Sequence, residues 1–280
     1  MLTCLRDVSL AAALIVTTAA WAQEAADINT ESTVVGEHWR LEESDRIFLI
    51  AQQADTLAPM TYRVGTLDQL QTVQGLGTGF YADAYADFAP VSWLQLGATL
   101  NYGTLGDPAV QNILAPTFYV KTQWLRQASA GVNLAGAVSV KKLGFGRPTD
   151  AHPNDGELEA QLLMDKRIGR VSLTANAIVG KSFSVPDSDA ELKLSAGYYV
   201  FRTLLVGLDS ITRYDTSFDG GPRDGTRYWE FTGGAVASWK ISNLIVSALA
   251  GVAAPMHAPV AGGHGLGIGP TGMLQLGYLM

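Results

Sequence analysis

A period of two, held over stretches of about ten residues, constrains this chain more than any other feature of its sequence. Between Ser92 and Tyr102, the residues Leu94, Leu96, Ala98, Leu100 and Tyr102 share one parity, and Trp93, Gln95, Gly97, Thr99 and Asn101 share the other. Side chains alternate across an extended backbone, so this stretch is a ribbon with one apolar side. The pattern recurs in eleven segments: 78–88, 92–102, 113–125, 130–142, 157–166, 170–181, 190–201, 204–214, 228–240, 244–254 and 265–280. Their length suits tilted strands crossing a hydrocarbon layer, which need about 9–11 residues.

The connections alternate as well, short at 89–91, 126–129, 167–169, 202–203 and 241–243, and longer at 103–112, 143–156, 182–189, 215–227 and 255–264. Tight turns on one side and long loops on the other are the rhythm of a barrel with periplasmic turns and external loops. A chain that starts in the periplasm then needs one more outward strand before residue 78. The apolar run Arg46 to Gln53 is the natural candidate, with Ala54 to Gly77 as a long first external loop. The expected fold is all-β, a transmembrane antiparallel β-barrel of about 12 strands, an even number as bacterial barrels require.

Composition narrows the class further. Hydrophobic residues make up 48% and charged ones 16%, whereas soluble domains carry roughly 25% charge. Disorder is excluded, because disordered chains pair low hydrophobicity with high charge. A net charge of -7 gives nucleic acid nothing to bind. Arg6, the uncharged run Val8 to Ala20 and the small residues of Ala20-Trp21-Ala22 read as a signal peptide over 1–22. Residues 23–45 follow as an acidic periplasmic leader, and 46–280 form the barrel. The sole Cys, Cys4, would leave with the signal peptide. In the mature chain the best candidate for a helical span, Leu244 to Ala254, is too short to cross a bilayer.

On the outward parity, Phe88, Trp124, Trp239 and Tyr278 fall at the expected periplasmic ends of their strands, and Phe80, Tyr102, Tyr214 and Trp229 at the external ends. Aromatics at both limits of an apolar band are what lipid interfaces select. At the C-terminus, Leu274, Leu276, Tyr278 and Met280 alternate up to the last residue. This resembles the terminal strand of Gram-negative outer-membrane proteins, in which an aromatic stands two before a final Phe. Tyr278 matches and Met280 departs. The resemblance implies location in the bacterial outer membrane and contact with the barrel-assembly machinery during biogenesis.

The inward parity carries the charge. Asp83, Asp87, Glu157, Glu159, Asp165, Glu191, Asp209 and Glu230 stand there with Lys121, Lys141, Lys193, Arg213 and Lys240. These are the candidate solute contacts, joined by Tyr81, Tyr85, Asn101, Tyr119, Asn133 and Asn176. Either they line a hydrated passage or they pair into a network that plugs the barrel. Mixed signs on neighbouring strands, Arg213 facing Glu230 and Lys141 facing Glu157, favour partial pairing. A surplus of acids predicts a weak preference for cations in an open pore.

Signals for other chemistry are thin. His38 lies in the leader, while His152, His257 and His264 fall in expected loops. The His-x-Ser-Asn-Gly pattern that lets His deprotonate Ser in outer-membrane phospholipases does not occur. Asp150 with His152 has generic spacing, two His make a weak metal site, and Asp219 to Gly225 reads as turn chemistry. No cofactor or metal is expected. The expected function is porin-like passage of small polar solutes through an outer-membrane barrel in contact with lipid. A closed structural or surface-interaction barrel is the alternative, and an outer-membrane hydrolase comes third.

Overall fold

The computed structural model of the chain describes residues 46–73, 77–104, 113–142, 156–183, 188–217, 226–257 and 268–280. The expected signal peptide and leader, His38, Asp150, His152, His264 and the segment 219–225 lie outside them. Twelve strands account for most of the rest: β1 (Thr61–Val73), β2 (Gly77–Val91), β3 (Leu94–Thr104), β4 (Ile113–Leu125), β5 (Asn133–Lys142) and β6 (Gly156–Ile168). They continue as β7 (Val171–Ser182), β8 (Ser188–Phe201), β9 (Leu204–Ser217), β10 (Thr226–Ile241), β11 (Leu244–His257) and β12 (Gly269–Leu279). Each pairs antiparallel with its sequence neighbours, and β1 pairs with β12, so the sheet closes into a barrel. Closure leaves no edge with unpaired backbone groups, which is what a strand structure in lipid requires. No helix among the described residues is long and apolar enough to cross a membrane.

The alternation of the sequence becomes the two sides of the wall. Along β7 the residues switch regularly between exposed and buried, with Val171, Leu173 and Val179 outside and Ser172, Thr174, Asn176 and Ile178 inside. Tight turns join β2–β3, β6–β7, β8–β9 and β10–β11 at one rim, and α1 (Gln127–Ala130), a single helical turn, completes β4–β5 there. Register shifts in β2, β4 and β8 crowd the same rim, where bulges tighten the twist.

The start of the barrel differs from the sequence expectation. Arg46 to Gln53 is not a strand, and the stretch expected as a long first external loop, Ala54 to Gly77, contains one, Thr61–Val73. The first strand is β1, Thr61–Val73, which pairs with β2 across the three residues 74–76. The alternation of β1 is masked because its outward parity carries Thr66, Asp68 and Thr72 while Leu67 faces inward. The apolar run Ile47-Phe48-Leu49-Ile50 has a different destination, inside the barrel. Ile47, Phe48 and Leu49 pack with the inward side chains Tyr199, Leu205, Val236, Ile245, Leu249 and Met273.

Candidate functional site

Residues 46–60 form a strap that makes a circuit of the inner wall near the tight-turn rim. Gln275 of β12 donates to the Arg46 carbonyl at 3.4 Å, and Ser238 of β10 donates to the Ile47 carbonyl. The Asp209 carboxylate of β9 accepts the N–H groups of Leu49, Ile50 and Ala51 at 2.8, 2.7 and 3.2 Å. Asn176 of β7 bonds both polar groups of the Gln52 backbone. Asp165 of β6 accepts from Ala54 and Asp55. Lys121 of β4 donates to the carbonyls of Gln53 and Asp55, and Gln95 of β3 accepts from Leu57 at 3.3 Å. Finally Met60 donates to Ala89 of β2 at 2.7 Å, and the chain enters β1.

Strand number falls from β12 to β2 as residue number rises, with an overlap at Gln53 to Asp55, which meet β6 and β4 together, as a ring laid along the wall should run. The dimensions agree. Twelve strands about 4.8 Å apart and tilted by about 40° give a wall of about 75 Å circumference. A circle one side chain inside it measures about 45 Å, and fifteen extended residues span about 50 Å.

This ring explains the chemistry of the lower lumen. A backbone outside any helix or ladder still needs partners for its N–H and C=O groups. The wall provides them by residue type: carboxylates where the strap offers N–H groups, an ammonium or hydroxyl where it offers carbonyls, and an amide where it offers both. Second contacts orient the acceptors. Ser195 donates to Asp209, and Asn133 donates to Asp165 at 2.6 Å. On the β1–β3 side, the Arg63 Nε donates to Asp87 at 2.9 Å, Tyr119 donates to Asp87, and Gln95 donates to Tyr119 at 2.8 Å. Arg46 lies over the Tyr85 ring, 4.4 Å from its centroid. The Tyr119 ring fits because residue 97 is Gly: a Cβ there would collide with the ring.

The thirteen inward charges read from the sequence separate into two groups. Asp87, Lys121, Asp165, Asp209 and Lys240 are buried in the half nearer the tight-turn rim. Asp83, Lys141, Glu157, Glu159, Glu191, Lys193, Arg213 and Glu230 stay partly exposed towards the long-loop rim. There Lys193 meets Glu191 at 3.1 Å. Arg213 opposes Glu230 in register, while its guanidinium reaches Asp189 at 3.0 Å and Glu191 at 3.5 Å. Lys141 opposes Glu157 in register, as the sequence suggested. Inside a closed wall, Arg213 and Lys193 remain 34% and 22% exposed, so this layer is not packed shut around them. Strap residues Ile47, Phe48, Gln53, Ala54 and Leu57 are at most 2% exposed, so the lower layer is packed.

Sequence reasoning missed Arg63, Asp189 and the strap itself. Arg63 sits between Tyr62 and Val64 in the alternation of a strand read as loop, and Asp189 keeps the parity of Glu191 one residue before that segment was begun. No local signal marks the strap. On the outer wall Trp124, Trp229, Trp239 and Tyr278 are exposed at strand ends, Phe80 and Tyr102 likewise, while Phe88 stacks on Tyr62 at 4.4 Å and Tyr214 meets Trp229 at 4.8 Å. His257 ends β11, and no group of three or more metal-competent side chains occurs among the described residues.

A closed twelve-strand barrel with a charged interior is a fold that solved outer-membrane proteins share. The COG4313 outer membrane channel from Pseudomonas putida F1 superposes with a TM-score of 0.60 at 11% identity, over 81% of this chain and 98% of that one. The KdgM porin matches with a TM-score of 0.49 at 8% identity, over 77% of this chain and 98% of its own. At such identities the likeness is one of fold. No family model matches the sequence, and no curated protein matches it.

Proposed function

We propose that the chain is a porin-like channel of the bacterial outer membrane, passing small polar solutes through the lumen, with the strap as its constriction. The observation that carries this reading is the open upper lumen, where inward ionic side chains stay partly exposed inside a closed wall. The outer wall supports it: apolar side chains such as Leu162, Leu194 and Val252 are exposed between two sets of aromatics, which would stand at the two headgroup levels. In the upper lumen Asp83, Glu157, Glu159, Asp189, Glu191 and Glu230 outnumber Lys141, Lys193 and Arg213. These groups are the proposed solute contacts, and their balance favours cations weakly. Four of the inward acids contribute less to that balance, since Asp87 is held by Arg63, Asp165 and Asp209 by the strap, and Asp83 by Asn101.

The packed strap layer favours a second reading, a closed barrel whose external loops engage a partner. Single-channel recording in planar bilayers separates the two. Discrete conductance steps, with a reversal potential towards the cation side under a KCl gradient, support the channel. A silent, folded barrel supports closure.

A further inference from the structure

We propose that the outer wall binds one anionic glycerophospholipid of the periplasmic leaflet, with its phosphate at Lys166 and an acyl chain in the groove beside it. The inference rests on the membrane-barrel reading above. A barrel wall is convex, yet on β6–β9 it carries a groove of about 560 Å³, within the roughly 300–1,000 Å³ common for small-ligand sites. The register shows how it arises. Lys166, Leu173, Ala196 and Leu208 stand side by side in one outward row, and the next row sets Ala175 beside Leu194. The two alanines form the floor. Leu173, Leu194 and Leu208 form raised sides, all exposed on the outer wall.

Charge identifies the occupant. Lys166 lies in the groove lining, two residues from the end of β6, close enough for its stem to carry the ammonium to the headgroup level. The tight turns directly below this sector, β6–β7 and β8–β9, carry Arg170 and Arg202, both exposed. The Arg126 guanidinium of the β4–β5 turn reaches away to the Ser92 carbonyl, the turns 92–93 and 242–243 carry no charge, and none of the five holds an acid. Two of the three cations of that set of turns therefore stand under the groove. An acyl chain gains little by exchanging neighbouring chains for an apolar wall, so the groove supplies shape and the headgroup supplies selectivity. Each basic residue near an anionic lipid surface is worth about fivefold in binding.

The test is native mass spectrometry of the full chain in detergent, with phosphatidylglycerol or phosphatidylcholine added at equal ratios. One phosphatidylglycerol should be retained, about 25-fold over phosphatidylcholine. Lys166→Gln with Arg170→Gln should cut that occupancy about 25-fold, and Ala196→Phe, which fills the floor, should abolish it. Ala250→Phe, outward on β11, should leave it unchanged. Equal retention of both lipids, or an adduct that survives Ala196→Phe, overturns the proposal, as does a second copy of the chain in place of lipid. Should Ala196→Phe fail to fold, the charge variants decide alone. A wild-type chain that forms no heat-modifiable barrel in detergent overturns the membrane reading instead.

Discussion

Asn176 holds Gln52 twice, accepting its N–H at Oδ1 and donating from Nδ2 to its carbonyl, both at 2.6 Å. A side-chain amide thus does for the strap what a neighbouring strand does for a ladder. Both atoms lie deep in the lumen, with Asn176 only 1% exposed, so neither backbone group has water as a substitute. Replacing Asn176 by Leu leaves them unpaired, at about 1–3 kcal/mol each. The amides of Leu49–Gln52 should then exchange hydrogen at least about tenfold faster, while β6–β9 stay protected. Exchange mass spectrometry reads this directly, and an unchanged strap would mean that apolar packing alone seats it.

The strap also decides between a gated and a sealed lumen. Asp209→Ala removes the acceptor of three N–H groups and Asp165→Ala that of two. In the double variant the strap should leave the wall, and the conductance step in planar bilayers should rise well above that of the unaltered chain. An equal step in both would place the constriction elsewhere.

Arg63 and Asp87 form an ion pair with side chains 3% and 0% exposed. Removing one partner strands the other's charge in the lumen, a loss of about 3–5 kcal/mol. Asp87→Leu should therefore lower the temperature at which the folded band disappears on a gel far more than Arg63→Leu with Asp87→Leu together. If the double variant is the worse of the two, the pair itself is the stabilising element.

Gly97→Ala should destabilise the barrel through one contact, because its Cβ meets the Tyr119 ring and displaces the hydroxyl that serves Asp87. In a Tyr119→Ala background the same substitution should be close to neutral. Thermal midpoints of the four proteins form a double-mutant cycle, and additive losses would rule this contact out.

Leu162 sits midway along β6 on the outer wall, beside the inward Gln161. An arginine at Leu162 would face hydrocarbon at about 2–4 kcal/mol, whereas one at Gln161 would join a partly wet lumen among Glu159 and its neighbours. Leu162→Arg should reduce the yield of heat-modifiable barrel in the membrane fraction, and Gln161→Arg much less. Equal damage would contradict the assignment of faces.

Strands β2 to β12 were legible because lipid on one side and a polar interior on the other force alternation at every residue. In β1 that pressure is relaxed: Thr66 and Asp68 point outward and Leu67 inward, so the period fades. The strap fails in the opposite way. Ile47 to Ile50 is apolar without a period, since every side chain of a segment inside a barrel meets protein. Asn176, Asp165 and Asp209 could be placed on the inner face from parity alone. Their shared task could not, because it depends on a partner more than a hundred residues away in sequence.

The order in which this wall can be completed follows from where the strap lies. Its bonds reach wall residues that are 38 positions distant at Gln95 and 229 at Gln275, so they exist only once β3 to β12 stand side by side. The ladder between β1 and β12 joins the first and last strands of the wall, and the strap runs directly into β1. A strap left outside when that seam zipped shut would have to be threaded in through a rim, against the entropy of a long loop. The seam is therefore best sealed last, around a strap already seated, much as a cask is closed around its lining.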